Sequence, residues 1–300
     1  VKGRLVTLRD WVRFGASAFN EKGLVYGHGT DNAVDEALVL ALHALHLDHD
    51  LDAGFLDARL TERESARVYA LYQRRIDERR PAAYLTRRAW FAGLSFYVDE
   101  RVLVPRSPIA ELVERRFEPW VQADSVERIL DLCCGSGCIG IACARAFPGS
   151  RVDLTDLDAE ALEVARRNVR EHGLDSRVVV IRSDLYSDLE RRQYDLIVCN
   201  PPYVDKASHA RLPPEYRHEP EVGLVSGAEG LEHPLRVLSG APRHLLPSGV
   251  LVLEVGATRS ELERRLPRLD ATWVEFERGG EGVAVLTRPA LESLELRARR

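Results

Sequence analysis

Two periodicities share this chain. Over the first eighty residues, apolar side chains recur at helical spacing. Leu5, Leu8, Val12 and Ala16 predict a helix over 5–22, closed by Gly23. A glycine-rich turn follows, Tyr26-Gly27-His28-Gly29-Thr30-Asp31-Asn32, in which Asp31 or Asn32 can cap the next helix. That helix carries Leu38, Ala41, Leu42 and Leu45 on one face. Thr61-x-x-Glu64 is a capping box that opens a third helix running to about Arg80, and Pro81 closes it. Between 89 and 104 the pattern becomes alternation around Gly93. The segments 90–96 and 101–104 read as a hairpin pair, and a helix over 109–117 follows Pro105-Arg106-Ser107-Pro108.

From Arg128 onward, short apolar runs alternate with helical stretches. Strands are predicted at 129–132, 152–155, 178–181, 194–199 and 250–255, and helices at 139–147, 159–172, 231–246 and 260–266. A last pair of strands, 273–276 and 283–286, is joined through Gly279-Gly280. Such alternation predicts an α/β fold with a doubly wound, mainly parallel sheet. The expected organisation is a small helical domain over 1–88, a hairpin, helix and linker over 89–125, and the sheet domain over 126–300.

Composition narrows the function classes. The chain has 300 residues, 45% hydrophobic and 30% charged, as in soluble globular proteins of about two domains. The formal net charge of -5 argues against naked nucleic acid as partner. Positive charge is almost all arginine, with lysine only at Lys2, Lys22 and Lys206, which reads as coding bias. The absence of methionine has no physical account. Five cysteines, Cys133, Cys134, Cys138, Cys143 and Cys199, are an odd number gathered around a turn, so a reducing, cytoplasmic setting is expected and not a disulfide framework. No signal peptide is expected, because residues 1–11 hold no long apolar stretch, and no membrane span, because the apolar run 38–47 is short and holds His43 and His46. His43, His46 and His49 lie three apart, which spreads their rings around a helix, so no metal site is expected there.

The chemistry gathers at predicted strand ends, where open α/β sheets bind ligands. The apolar run 194–199 stops at Asn200-Pro201-Pro202-Tyr203, since two prolines cannot continue a ladder. An amide side chain, a proline carbonyl and an aromatic face suit a planar group that carries an NH2. The first strand ends in the turn Cys133-Cys134-Gly135-Ser136-Gly137, the second at Asp156, the third at Ser183-Asp184-Leu185. Gly135, Gly137 and Gly140 have the G-x-G-x-x-G spacing of a dinucleotide-binding turn, but no catalytic acid–base pair of a dinucleotide enzyme stands at a strand end. S-adenosylmethionine needs no phosphate cradle. It needs a turn for its amino-acid part, an acid for the ribose hydroxyls, and an open face toward its methyl group. The candidate cofactor-binding residues are therefore Asp131, Cys133, Cys134, Gly135, Gly137, Asp156, Asp184, Leu185 and Asn200, and the candidate catalytic residues Asn200, Pro201, Pro202 and Tyr203.

Taken together, Asp131 to Gly137, Asp156, Ser183-Asp184 and Asn200 to Tyr203 resemble the glutamine methyltransferases related to HemK. The resemblance extends to Pro105-Arg106 with Glu111, Glu219-Pro220, Ser226-Gly227-x-Glu229-Gly230-Leu231 and Gly279-Gly280, and departs at Cys133, where the family's first turn glycine is usual. It implies methyl transfer from S-adenosylmethionine to a protein glutamine. Asn200 and the Pro201 carbonyl would accept the two amide hydrogens, Tyr203 would stack on the amide, and Pro202 would shape the turn. Of the family's branches, one methylates the third protein of the large ribosomal subunit and another the Gly-Gly-Gln loop of release factors. The segment from Tyr26 to Ala33 with Asp35-Glu36, Ala89-Trp90-Phe91, Ala110 before Glu111, and Glu215-Tyr216-Arg217-His218 resemble the ribosomal-protein branch. The resemblance implies a ribosomal protein met before assembly as partner, with release factors as the alternative and amino-group methylation of nucleic acid behind them. Asp48, Asp50, Asp52, Asp57, Glu62 and Glu64 in the front domain would suit a basic protein.

Overall fold

Capping fixes where the first helices begin. In the computed structural model, which describes residues 5–298, Thr7 and Asp10 close a capping box on α1 (Leu8–Glu21), so Leu5 lies outside the helix. Asn32, not Asp31, caps α2 (Ala33–Leu45) by accepting from the amides of Val34 and Asp35. The helix stops at Leu45 because His46 takes a left-handed conformation, so His46 and His49 lie beyond it. The predicted Thr61–Glu64 box is present and opens α3 (Glu62–Glu78). A short α4 (Ala82–Thr86) follows Pro81. Leu8, Trp11, Phe19, Leu40, Val68 and Tyr72 fill the core of this helical unit.

The helical unit comprises the residues up to Ala89 together with Val98–Glu100 and Pro213–His218, and the rest of the chain forms the second unit. Residues 213–218 thus belong by packing with the front of the chain. Glu215 anchors them: its buried carboxylate accepts Val25 N–H at 3.0 Å and pairs with Arg79 at 2.9 Å.

The hairpin differs from the predicted pairing. It joins β1 (Ala89–Phe91) to β2 (Leu94–Phe96), and Arg101 to Val104 form no strand. Ala92 and Gly93 both have positive φ, 47° and 74°, which makes a two-residue turn and closes the pairing at once. The next helix, α5 (Ile109–Glu114), is shorter than expected.

The predicted βα alternation holds. It runs β3 (Arg128–Leu132), α6 (Cys138–Ala146), β4 (Arg151–Asp156), α7 (Ala159–Glu171), β5 (Val178–Arg182) and β6 (Tyr194–Cys199). After a four-residue α8 (Lys206–His209) come α9 (Glu232–His244), β7 (Leu245–Glu254), α10 (Arg259–Arg265), β8 (Thr272–Trp273) and β9 (Val283–Thr287). β7 begins earlier than the apolar run, because α9 passes into it with no loop between. A final α11 (Arg288–Ala298) has no counterpart in the sequence expectation.

The seven strands lie in the order β5-β4-β3-β6-β7-β9-β8, parallel through β7 and antiparallel beyond. Both faces are covered, as a mainly parallel sheet requires. Ile129, Val152, Leu196 and Val198 pack with Ile141 and Leu162 on one side, and Leu130, Leu132, Ile197 and Leu251 pack with Val237, Leu238 and Leu291 on the other. Strand order reverses between β3 and β6, which places the ligand crevice at their carboxyl ends.

Candidate active site

Register brings the predicted segments to one sheet edge. Leu132 lies opposite Thr155 of β4 and opposite Cys199 of β6, so the turn after β3 has Asp156 on one side and Asn200 on the other. Ser183 N donates to Asp156 O at 2.9 Å, which adds the segment after β5 to the same edge.

The turn is built from left-handed residues. Cys133, Gly135 and Gly137 have φ of 57°, 51° and 78°. Cys133 therefore occupies a conformation that favours glycine, and as a non-glycine residue it carries about 1 kcal/mol of strain there. Space around Gly135 is open, whereas a Cβ on Gly137 would lie 3.0 Å from Leu154. Gly140 packs so closely on Asp131 that a Cβ would come within 2.9 Å of its carboxylate.

Asp131 is buried, and Gly140 N–H donates to its Oδ2 at 2.8 Å. Its Oδ1 is buried without a hydrogen-bond partner. Burial, with Asp156 nearby, pushes the Asp131 carboxyl up to about 8. An oxygen so placed beside a ligand turn is completed by a cationic donor, and the ammonium of S-adenosylmethionine is such a group. The residues present therefore fit that cofactor. Asp156 is held by the Gly135 and Asp158 amides at 2.9 and 3.0 Å, which leaves acceptor capacity on both oxygens. Burial raises its carboxyl too, against those two amides. Asp158, its neighbour, caps α7 through the Glu160 amide.

Asp184 forms a half-exposed ion pair with Arg236 at 2.7 Å, and Leu185 beside it is buried with a left-handed φ of 51°. The buried thiols of Cys134, Cys138, Cys143 and Cys199 are held above their ordinary range by burial, Cys138 at about 12, which fits packing and not nucleophilic chemistry. No group of metal-binding geometry occurs among the described residues, and no described helix is long and apolar enough to cross a membrane.

Pro201 and Pro202 are buried, Asn200 and Tyr203 half-buried. The hydroxyl of Tyr203 donates to Glu254 at 3.0 Å. Glu254 and its second donor, Ser107, are absent from the site expected from sequence. A carboxylate ending a buried central strand was the available signal. The motif segments outside the crevice interlock. Arg106 makes a bidentate pair with Glu219 at 2.5 and 2.7 Å, Glu111 accepts the amides of Glu277 and Arg278, and Gly280 leaves room for Pro108. The acidic stretch of the front unit is partly committed: Asp52 caps Gly54, Asp57 pairs with Arg9, and Glu64 closes the box at Thr61.

A family model described as a methyltransferase small domain matches residues 118–212. The ribosomal protein uL3 glutamine methyltransferase of Xanthomonas campestris is 52% identical over 93% of this chain and 90% of its own length. That of Bordetella pertussis is 48% identical over 96% and 97%. Among solved structures, the hMettl16 catalytic domain, crystallised with an RNA hairpin, superposes with a TM-score of 0.50 at 17% identity, over 74% of this chain and 79% of that one, which establishes the fold alone. With a methyltransferase sheet, its crevice motifs and relatives near half identity along almost the whole chain, this protein belongs to the ribosomal protein uL3 glutamine methyltransferase family.

Proposed function

We propose that this chain methylates the side-chain amide nitrogen of a glutamine in ribosomal protein uL3. The observation that carries the chemistry is the crevice edge itself: the unpartnered Asp131 Oδ1, Asp156 and Asn200 stand at the ends of three adjacent strands. Bound there, S-adenosylmethionine supplies a sulfonium methyl group already activated for transfer. Asp131 and the turn from Cys133 to Gly137 receive its amino-acid part, Asp156 the ribose hydroxyls, and Asp184 with Leu185 the adenine. Asn200 and the Pro201 carbonyl accept the two amide hydrogens of the substrate, Pro202 shapes the turn, and Tyr203 stacks on the amide plane. An amide nitrogen is a weak nucleophile, so alignment does most of the work. Its proton leaves easily once the nitrogen carries the methyl group, and no dedicated base is needed.

Asp156→Ala is expected to weaken cofactor binding by about 2–4 kcal/mol, from the loss of two charge-assisted hydrogen bonds. Calorimetry that finds wild-type affinity removes Asp156 from the site.

The helical domain over 1–88 serves in this reading to recognise uL3 before ribosome assembly, while the glutamine is still exposed. Support from charge is local only. Residues 1–89 hold fourteen Lys and Arg against thirteen Asp and Glu, so the acidic stretch 48–64 is a patch on a near-neutral unit. Nucleic acid is not expected to bind directly. The purified protein should be offered uL3, a release factor and RNA with labelled cofactor, and the methyl group located by mass spectrometry. Label on a uL3 glutamine is the expected result. Label on the release-factor Gly-Gly-Gln loop alone, or on RNA, overturns the substrate while leaving the fold unchanged.

A further inference from the structure

Glu254 ends β7, one residue beyond the Leu253–Cys199 pair that aligns β7 with β6. Its carboxylate is buried, and each oxygen carries a hydroxyl. Ser107 Oγ donates to Oε2 at 2.5 Å, and Tyr203 Oη donates to Oε1 at 3.0 Å. Ser107 Oγ also accepts the Ile109 amide at 3.1 Å, which aligns its single proton with Glu254. Burial raises the Glu254 carboxyl, and the two hydroxyls and Arg106 act against that rise. The Tyr203 ring is confined from a second direction. Gly256 has φ of 49°, and a Cβ there would lie 2.7 Å from Tyr203 Cε2 and 2.9 Å from Cζ. Gly230 sits as tightly against the Tyr203 carbonyl.

A tyrosine in the turn after a strand has two side-chain torsions to settle. Here the backbone of Gly256 bars one displacement of the ring, and the bond to Glu254 fixes the far end. We propose that Glu254 is a positioning residue for methyl transfer, holding Tyr203 at the reacting amide, with Ser107 orienting the carboxylate from its other oxygen. This rests on the assignment of Asn200 to Tyr203 as the transfer site. Glu254 acts through Tyr203 and takes no proton from substrate. Its contribution therefore falls on turnover and spares cofactor affinity.

The test is a double-mutant cycle on kcat with Tyr203→Phe, which removes one oxygen, and Glu254→Leu, which removes both acceptor oxygens. Each single change is expected to lower kcat about tenfold to a hundredfold, the cost of a reactant held slightly out of place. Cofactor affinity should stay within about twofold of wild type, since the Glu254 link touches no cofactor-holding group. The double variant should be no slower than the slower single, because both changes cut the same link. Substitution of a buried carboxylate can compromise folding, so Ser107→Ala is the second probe. It keeps the charge and the Tyr203 bond, and its smaller loss of kcat should vanish in the Tyr203→Phe background. Wild-type kcat in Tyr203→Phe, or losses that multiply in either cycle, overturns the positioning role. Asn200→Ala measured alongside separates the two levels: full turnover there removes the transfer site itself, whereas lost turnover there with multiplying losses in the cycle removes only Glu254.

Discussion

Asn200→Ala should turn over about a hundredfold to a thousandfold more slowly than the wild-type enzyme, the range seen when one hydrogen-bonding group of a transition state is removed. The amide nitrogen of a glutamine has its lone pair delocalised into the carbonyl. Attack on a methyl group requires that nitrogen to pyramidalise and its lone pair to lie along the line of transfer. In the proposed mechanism two acceptors, Asn200 and the Pro201 carbonyl, one for each N–H, impose that orientation. The fold makes both rigid. β6 is a central strand paired on both sides, and Cys199 at its end is fully buried. Pro201 and Pro202 have fixed φ and no amide hydrogen to satisfy, so the chain turns out of the sheet at one defined place. Alanine at 200 removes one of the two acceptors and leaves the strand, the prolines and the Asp131–Asp156 edge as they are. The fold should therefore hold and the variant should still bind cofactor, while single-turnover rate at saturating substrate drops far more than cofactor affinity. Asn200→Asp keeps an acceptor at the price of a charge and should fall between the two. A folded Asn200→Ala protein with near-normal turnover would falsify the alignment mechanism.

Local signals and register account for most of what could be read in advance. Thr61 and Glu64 announced α3 because a capping box is a local device, and it forms as expected. The run 194–199 became β6 residue for residue, since two prolines stop a strand wherever it lies. The crevice followed from βα alternation, because parallel strands with right-handed crossovers leave few orders open. Where pairing depends on distant residues, the reading weakened. Arg101 to Val104 alternate like a strand, yet the turn at Ala92 and Gly93 closes the hairpin first, and Val104 N–H goes to Glu219 instead. Glu215 looks like an ordinary acid in a polar loop. Only folding reveals it as a buried anchor of the front unit. Glu254 escaped for the same reason: its partners Tyr203 and Ser107 stand 51 and 147 residues away.

The buried charges of the helical unit carry the largest stability effect. Arg75 and Glu36 are each 1% exposed, and Arg75 Nε donates to Glu36 Oε1 at 2.6 Å. Arg75 also donates to the Val25 carbonyl at 3.1 Å and stands 3.6 Å from Glu215 Oε1, too far for a hydrogen bond but close for a charge pair. Thr30 donates to the other Glu36 oxygen at 2.8 Å. One arginine thus faces the buried carboxylates of α2 and of residues 213–218, and holds the glycine-rich turn that begins at Tyr26. Arg75→Met leaves Glu36 buried without its cation and should cost about 3–5 kcal/mol, as for other broken buried pairs. Adding Glu36→Met should recover part of that loss, since a pair of apolar side chains needs no compensation. Glu215 supplies an independent readout. Burial alone would raise its carboxyl, but the Val25 amide, Arg79 and Arg75 bring it below the usual carboxylate value. A depressed carboxyl stabilises the fold at pH above its unfolded value, and that contribution is lost as pH falls through the folded one. Acid should therefore loosen the helical unit below about pH 4, the ordinary carboxylate range, and Glu215→Gln should lower its stability at neutral pH and flatten this acid dependence. Hydrogen exchange read by mass spectrometry over α2 and α3 resolves the unit from the rest of the chain. Arg75→Met protein with wild-type protection in both helices at pH 7 would show that the cluster contributes nothing to holding the unit together.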